Sequence, residues 1–323
     1  MLRRIAESLF WIGRYVERAD DTARILDVHV HDVVDTADRD HAGRRILLDV
    51  MGIQGDGVLD NRRLTELLAL DEKNPSSIVS SLRSARENAR GARESISAEM
   101  WESLNATWHA LGLQVRSVEL AGPHALFRFV PERAALFFGL ADSTMSRDDA
   151  WSFLVLGRSL ERVDMTARLL SSRVGQPAVA HDWVTLLTSC SAYEAFLRSV
   201  RREVTPGLAV EFLLLDRLFP RSVLHAMLIA ERCLADLDRS SAPEGRVHEA
   251  RRILGQARAS LEYEPIDRLL GDLGEWLQAL QAACSEAGGA LAEQWFGRVN
   301  TSPWLREGAL AARGSGRPPL EIR

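Results

Sequence analysis

The chain predicts an all-α fold made of two pseudo-symmetric helical-bundle halves packed as one unit, and three observations carry that expectation. One helical motif occurs twice: residues 8–27 read SLFWIGRYVERADDTARILD and residues 152–171 read SFLVLGRSLERVDMTARLLS, identical at ten of twenty positions and offset by 144. A second block recurs at nearly the same offset, ELLALDEKNPSSI at 66–78 against EFLLLDRLFPRSV at 211–223. No convincing run of alternating β-branched residues occurs, and the best strand candidate, HALFRFVP at 124–131, is short and isolated. Two separated blocks with one offset imply duplication of a whole half rather than of one helix. The expected division is a first repeat over 1–144, a second over 145–300, and a C-terminal tail over 301–323, Gly/Pro-rich from residue 314 and expected to be disordered.

Taken in order, the first motif places Leu9, Ile12, Val16, Ala19, Ala23 and Leu26 at alternating spacings of three and four, the pattern of an amphipathic helix packed on others. Further helices are expected near 41–51, 62–70, 75–117 with an interruption near Gly91, and 131–141. The second motif repeats the pattern with Phe153, Leu156, Leu160, Val163, Ala167 and Leu170. Ser146 followed by Asp149 predicts its capping box, and Gly175 and Pro177 its end. The remaining helices are expected near 181–203, 207–216, 220–240, 246–262 and 265–296. Pro75 and Pro220 are placed near the first turn of a helix, where a missing N–H costs nothing. Loops are expected at Gly52 to Gly57, Gly122-Pro123, Pro206-Gly207, Ser240 to Gly245 and Gly288-Gly289. Each half therefore reads as sequential antiparallel helices.

The composition, 46% apolar and 26% charged over 323 residues, is that of an ordinary soluble protein with a sizeable core. A net charge of −5, drawn from 45 acidic and 40 basic residues spread along the chain, gives no basic footprint for nucleic acid or an anionic membrane. The apolar run near the N-terminus is broken by Glu7, Arg14 and Glu17, so neither a signal peptide nor a membrane span is expected, and the location predicted is cytoplasmic. Cys190, Cys233 and Cys284 lie in apolar helical patterns and read as reduced core residues. The eight tryptophans, Trp11, Trp101, Trp151 and Trp183 among them, are assigned mostly to packing.

Most identities between the motif copies are polar. Ser8, Gly13, Arg14, Glu17, Arg18, Asp20, Thr22 and Arg24 recur as Ser152, Gly157, Arg158, Glu161, Arg162, Asp164, Thr166 and Arg168, while the apolar positions drift. A repeat kept for packing alone would show the opposite. Gly13, Glu17, Asp20 and Arg24 fall within about 60° of one another beside the apolar stripe, with Arg14 and Arg18 pointing further round. Gly13 leaves room for close approach of another backbone, and an approximate two-fold axis would bring the glutamate of one half towards an arginine of the other. Three readings stay open. The stripe is an interhelical ion-pair network, a pseudo-symmetric pocket whose arginines hold a peptide carboxylate or phosphate, or a catalytic site with Glu17 or Glu161 as general base.

The paired Glu17-Arg18 and Glu161-Arg162, inside G-R-x-x-E-R-x-D-x-T-A-R, resemble the alpha-E domain family, bacterial all-helical proteins defined by an E-R motif in tandem duplication. The segments NPSSIVSSLRSARENAR at 74–90, EMWESLN at 99–105 and TMSRDDAW at 144–151 are similar to that family too, so the likeness covers nearly the whole chain apart from its last twenty or so residues. Departures are few: Ala19 and Asp21 stand where the second copy has Val163 and Met165. The resemblance implies association with ATP-grasp-type ligases, transglutaminase-like proteins and an Ntn-hydrolase-type peptidase in a peptide synthesis or modification system. It implies no activity of the domain itself.

Other constellations are weaker. His29, His31, Asp32 and Asp35 have helical ligand spacing, but Arg173, Gly175, Gln176 and Val179 replace them in the second copy, and a solvated helix end is the better reading. No Glu-x-x-His pair supports a di-iron bundle, and GIQGDGVLDN at 52–61 lacks the context of a phosphate loop or the spacing of a calcium loop. No catalytic residue, cofactor or metal ligand is assigned. The function expected is a non-catalytic binding or assembly component acting with an ATP-grasp-type amide ligase or presenting its peptide substrate through the stripe Arg14, Glu17, Arg18, Asp20, Arg24, Arg158, Glu161, Arg162, Asp164 and Arg168. The alternatives are an enzyme using the paired glutamates, or a purely structural scaffold.

Overall fold

A computed structural model describes residues 1–32, 37–53, 60–176, 179–241 and 247–297. Among them every regular element is helical: α1 (Arg3–Asp32), α2 (Ala37–Val50), α3 (Asn61–Thr65), α4 (Ile78–Gly91), α5 (Ala98–Ala121), α6 (His124–Thr144), α7 (Asp149–Ser171), α8 (Ala180–Ser189), α9 (Tyr193–Val200), α10 (Pro206–Leu215), α11 (Val223–Ser241), α12 (Glu249–Tyr263), α13 (Ile266–Gly271) and α14 (Leu273–Leu291). Single π-helical turns extend α3 through Glu66–Leu70 and α14 through Ala292–Phe296. The all-α expectation holds.

The repeated motifs form α1 and α7, and these two helices pack on each other more extensively than any other pair. Around them lie two sets of similar connectivity. α1 packs on α4 and α6, with α5 bridging α4 and α6; α7 packs on α11 and α14, with α12 bridging α11 and α14. Buried apolar residues from both sets form one continuous core. Leu9, Ile12, Ala19, Ala23 and Leu26 of α1 and Leu156, Val163, Ala167 and Leu170 of α7 are wholly removed from solvent, as the three-and-four spacing requires. Phe296 closes one end of the crossing, its ring 5.5 Å from that of Phe10 and 6.0 Å from that of Phe153.

The matched blocks at 66–78 and 211–223 build the same turn. Ser77 Oγ donates to the Asp71 carbonyl at 2.7 Å and accepts from Ser80 N, while Ser222 Oγ donates to the Asp216 carbonyl and accepts from His225 N. These serines start α4 and α11, so Pro75 and Pro220 lie in the turns ahead of the helices rather than in their first turns. A serine hydroxyl satisfies an otherwise unpaired helical N–H, which proline does not do.

Several boundaries differ from expectation. The strand candidate at 124–131 is the first part of α6, because Leu126, Phe127, Val130, Ala134, Phe137 and Phe138 bury one helical face and hold the helix through Pro131. α7 is capped by Asp148, which accepts from the Ala150 and Trp151 amides, and not by Ser146. The stretch over 75–117 is interrupted after Gly91, as expected, and resumes at the Ser97 cap of α5, whereas that over 181–203 is broken at Ser191, whose φ of 52° is left-handed. Gly288 and Gly289 lie inside α14, where burial of Cys284, Ala287 and Leu291 outweighs a glycine cost of about 1 kcal/mol each. The loop residues 54–59 and 242–246 and the tail beyond residue 297 lie outside the described residues.

Candidate functional site

The site is built on the crossing of α1 and α7, and the crossing depends on two glycines. A Cβ at Gly13 would fall far inside van der Waals distance of the Leu154 carbonyl oxygen and 2.9 Å from Arg158 N; one at Gly157 would meet the Phe10 carbonyl in the same way and lie 3.3 Å from Arg14 N. The two backbones therefore touch. Such proximity carries the polar positions one turn further along each helix across the seam to the opposite helix.

Each ER glutamate is held by the arginines of the other copy. Glu161 on α7 accepts from Arg14 Nε at 2.6 Å and from Arg18 Nε and Nη2 at 2.6 and 3.0 Å, the last two forming a bidentate fork. Glu17 on α1 accepts from Arg162 Nε at 2.6 Å and Arg158 Nε at 3.2 Å, and Arg221 Nη1 lies 3.0 Å away. Both carboxylates are interior, Glu17 at 0% and Glu161 at 2% relative exposure. Asp20 pairs with Arg24 at 2.8 Å, and Arg24 donates to Ser191 Oγ; Asp164 pairs with Arg168 at 3.1 Å and lies 3.9 Å from Arg14. Aromatic rings back the cations: Arg14 sits over Trp11, Arg18 over Tyr15, and Arg158 over Phe138 with its guanidinium carbon 4.0 Å from the ring centre.

Burial alone raises the pKa of Glu17, but the charges of Arg162, Arg221 and Arg158 outweigh it and hold the carboxyl at about 2. The balance is the same at Glu161, where burial is overcome by Arg14 and Arg18 and the pKa is again about 2. Arg158 is lowered to about 10 by burial and the neighbouring Arg162. A general base needs a carboxyl tuned upwards and room for a substrate. Neither glutamate has them.

The structure brings together all ten stripe residues, with one correction. Arg14 and Arg18, expected to point round the helix, are the residues that cross to Glu161; their long stems carry the guanidinium well away from the direction set at Cβ. Sequence reasoning also missed Arg221, which lies in the turn between α10 and α11 and binds Glu17, Asp20 and Asp21. The available signal was a difference between the matched blocks, Arg221 standing where the first has Ser76.

A cavity of about 490 Å³ lies at the C-terminal end of α7, lined by Arg173, Trp183, Gly207, Asp272 and Glu275 among others, and no stripe residue lines it. Of the candidate metal ligands, Asp35 and the side chains of His31 and Asp32 lie outside the described residues, and His29 packs beside Gly43. No described helix is long and apolar enough to cross a membrane.

Comparison with known proteins adds three findings. The model of a family described as a predicted alpha-helical domain with a conserved ER motif, Alpha-E, matches residues 1–296. Uncharacterized proteins of Mycobacterium bovis and Mycobacterium tuberculosis are 26% identical over 337 residues, an alignment covering 89% of this chain but 36% of theirs. The chain thus spans about a third of the length of these curated relatives. No solved structure matches it.

Proposed function

The chain belongs to the Alpha-E family, and on that premise we propose that it is a non-catalytic assembly component of a peptide synthesis or modification system, acting in the cytoplasm with an ATP-grasp-type amide ligase and a transglutaminase-like protein. The observation that carries this reading is the closure of the ER motif on itself. Glu17 and Glu161 are interior, fully ion-paired and held near pKa 2, so the motif works as a joint and leaves the outer surface for partners. The length of the relatives supports it, since a domain that is about a third of a longer chain is expected to work against what accompanies it.

The joint fits an internal duplication into repeats over 1–144 and 145–300. Supporting it are the shared offset of two blocks, the Ser77 and Ser222 turns, and the equivalent packing around α1 and α7. A ligand pocket within the stripe, taking a peptide carboxylate or other anion, has less support because the arginines already hold carboxylates. The self-paired stripe favours one second reading, a purely structural scaffold.

Gel filtration of the full chain with an ATP-grasp-type amide ligase of its source organism, with and without ATP, tests the proposal. Co-elution in either condition is the expected result. Separate elution in both overturns the docking role and leaves the scaffold.

A further inference from the structure

We propose that Asp21 and Arg221 form a pH-sensitive latch, which holds the turn between α10 and α11 against α1 and loosens it as the solution becomes alkaline. The inference concerns the fold and does not depend on the partner proposed above.

The geometry is that of three carboxylates around one guanidinium. Arg221 meets Asp20 through Nη2 and both Glu17 and Asp21 through Nη1. Asp21 is interior, and its second oxygen, Oδ2, is buried without a hydrogen-bond partner. The groups facing this carboxyl are Glu17 and Asp20 on α1, Arg162 on α7, Arg221 in the turn, and the Cys190 thiol at the end of α8. The turn is also tied to α7 by Arg162 Nη1 to the Pro220 carbonyl at 3.2 Å and by Thr166 Oγ1 to the Arg221 carbonyl at 3.1 Å.

Neither latch residue belongs to the pattern shared by the two motif copies. Met165 stands at the place matched to Asp21, and Ser76 at the place matched to Arg221. Two departures from the repeat thus meet each other in space, and together they join the first motif helix to a turn of the second set.

Burial is the largest influence on Asp21 and raises its pKa; Arg221 opposes it, Glu17 and Asp20 add to it, and the carboxyl stands at about 8. Below that pH the carboxyl is neutral and leaves one O–H unpaired at Oδ2, a smaller penalty than a buried charge without a donor. Above it a third negative charge sits in the cluster with one oxygen that no donor reaches, and water becomes the missing partner. Displacing the turn admits it.

The test is urea unfolding of the full chain from pH 6 to 9.5, with hydrogen exchange of residues 216–222 corrected for the intrinsic pH dependence, for the wild type and Asp21→Asn. A group holding its proton in the folded state and not in the unfolded one makes the unfolding constant rise by up to about tenfold per pH unit, levelling near the folded pKa. The wild type is expected to show that rise with faster exchange in the turn, and Asp21→Asn to lack both. If Asp21→Asn gives no folding transition, Asp21→Met, which installs the residue of the matched position, takes its place. Equal pH dependence of the wild type and the variant, or turn exchange that does not change with pH, overturns the latch.

Discussion

Arg18 Nε on α1 lies 2.6 Å from Glu161 Oε1 on α7, and the reciprocal pair, Arg162 Nε and Glu17 Oε1, closes at the same 2.6 Å. An ER dipeptide that paired within its own helix would need only one copy. Here each motif helix supplies the acid for the other's base, which gives both helices a reason to carry the same charges.

Removing either carboxylate charge takes a counter-ion from buried arginines. Glu161→Gln takes it from Arg14 and Arg18, and Glu17→Gln from Arg158, Arg162 and Arg221. Each substitution is expected to destabilise by about 3–5 kcal/mol, with Glu17→Gln the worse. Urea unfolding at neutral pH measures it, and a loss below about 1 kcal/mol, the worth of a surface pair, would rule out the joint.

At an exposed helical site Gly→Ala stabilises by about 1 kcal/mol. Gly13→Ala and Gly157→Ala are expected to have the opposite sign, because the new methyl meets backbone of the facing helix and backbone cannot rotate away as a side chain does. A cost of about 1–3 kcal/mol or more in each follows from overpacking. Gly139→Ala on α6, where no atom lies within 4 Å of the added Cβ, is the control and should not destabilise. Thermal melts of the three variants check the signs.

The helical class, the motif helices and the cross-pairing of their glutamates were legible because each rests on a periodic or repeated signal. What stayed hidden has a physical cause in each case. A helical wheel locates Cβ and not the tip of a side chain, so Arg14 and Arg18 were aimed wrongly. The segment 124–131 is rich in residues of high strand propensity, and tertiary burial of Leu126, Phe127 and Val130 overrode it. Arg221 was missed because its partners lie two hundred residues away, where no local pattern reaches, and only its difference from Ser76 in the matched block marked it out.

The lowered pKa of the two glutamates predicts acid lability. A carboxyl held at about 2 when folded and near its ordinary value when unfolded contributes stability that is present above the unfolded value and lost as pH falls through the folded one. The size is about 3 kcal/mol per glutamate, lost between about pH 4.5 and pH 2. Urea midpoints across that range should fall steeply in the wild type and less steeply in Glu161→Gln. Parallel curves would mean that Glu161 is not the group responsible.

Cys190, Cys233 and Cys284 are all buried, and burial pushes each thiol up to about 12. Since the thiolate is the reactive form, all three are expected to resist a disulfide-exchange reagent in the folded protein at neutral pH and to react together on unfolding. Cys190 and Cys284 are the informative pair, because the first lies beside Asp21 and the second beside Arg14 and Asp164. If the latch at Asp21 opens as pH rises, labelling of Cys190 should increase ahead of that of Cys284 between about pH 6 and 8, beyond the common increase that thiolate formation gives both. Equal acceleration at the two sites would mean that the whole fold loosens and not the turn.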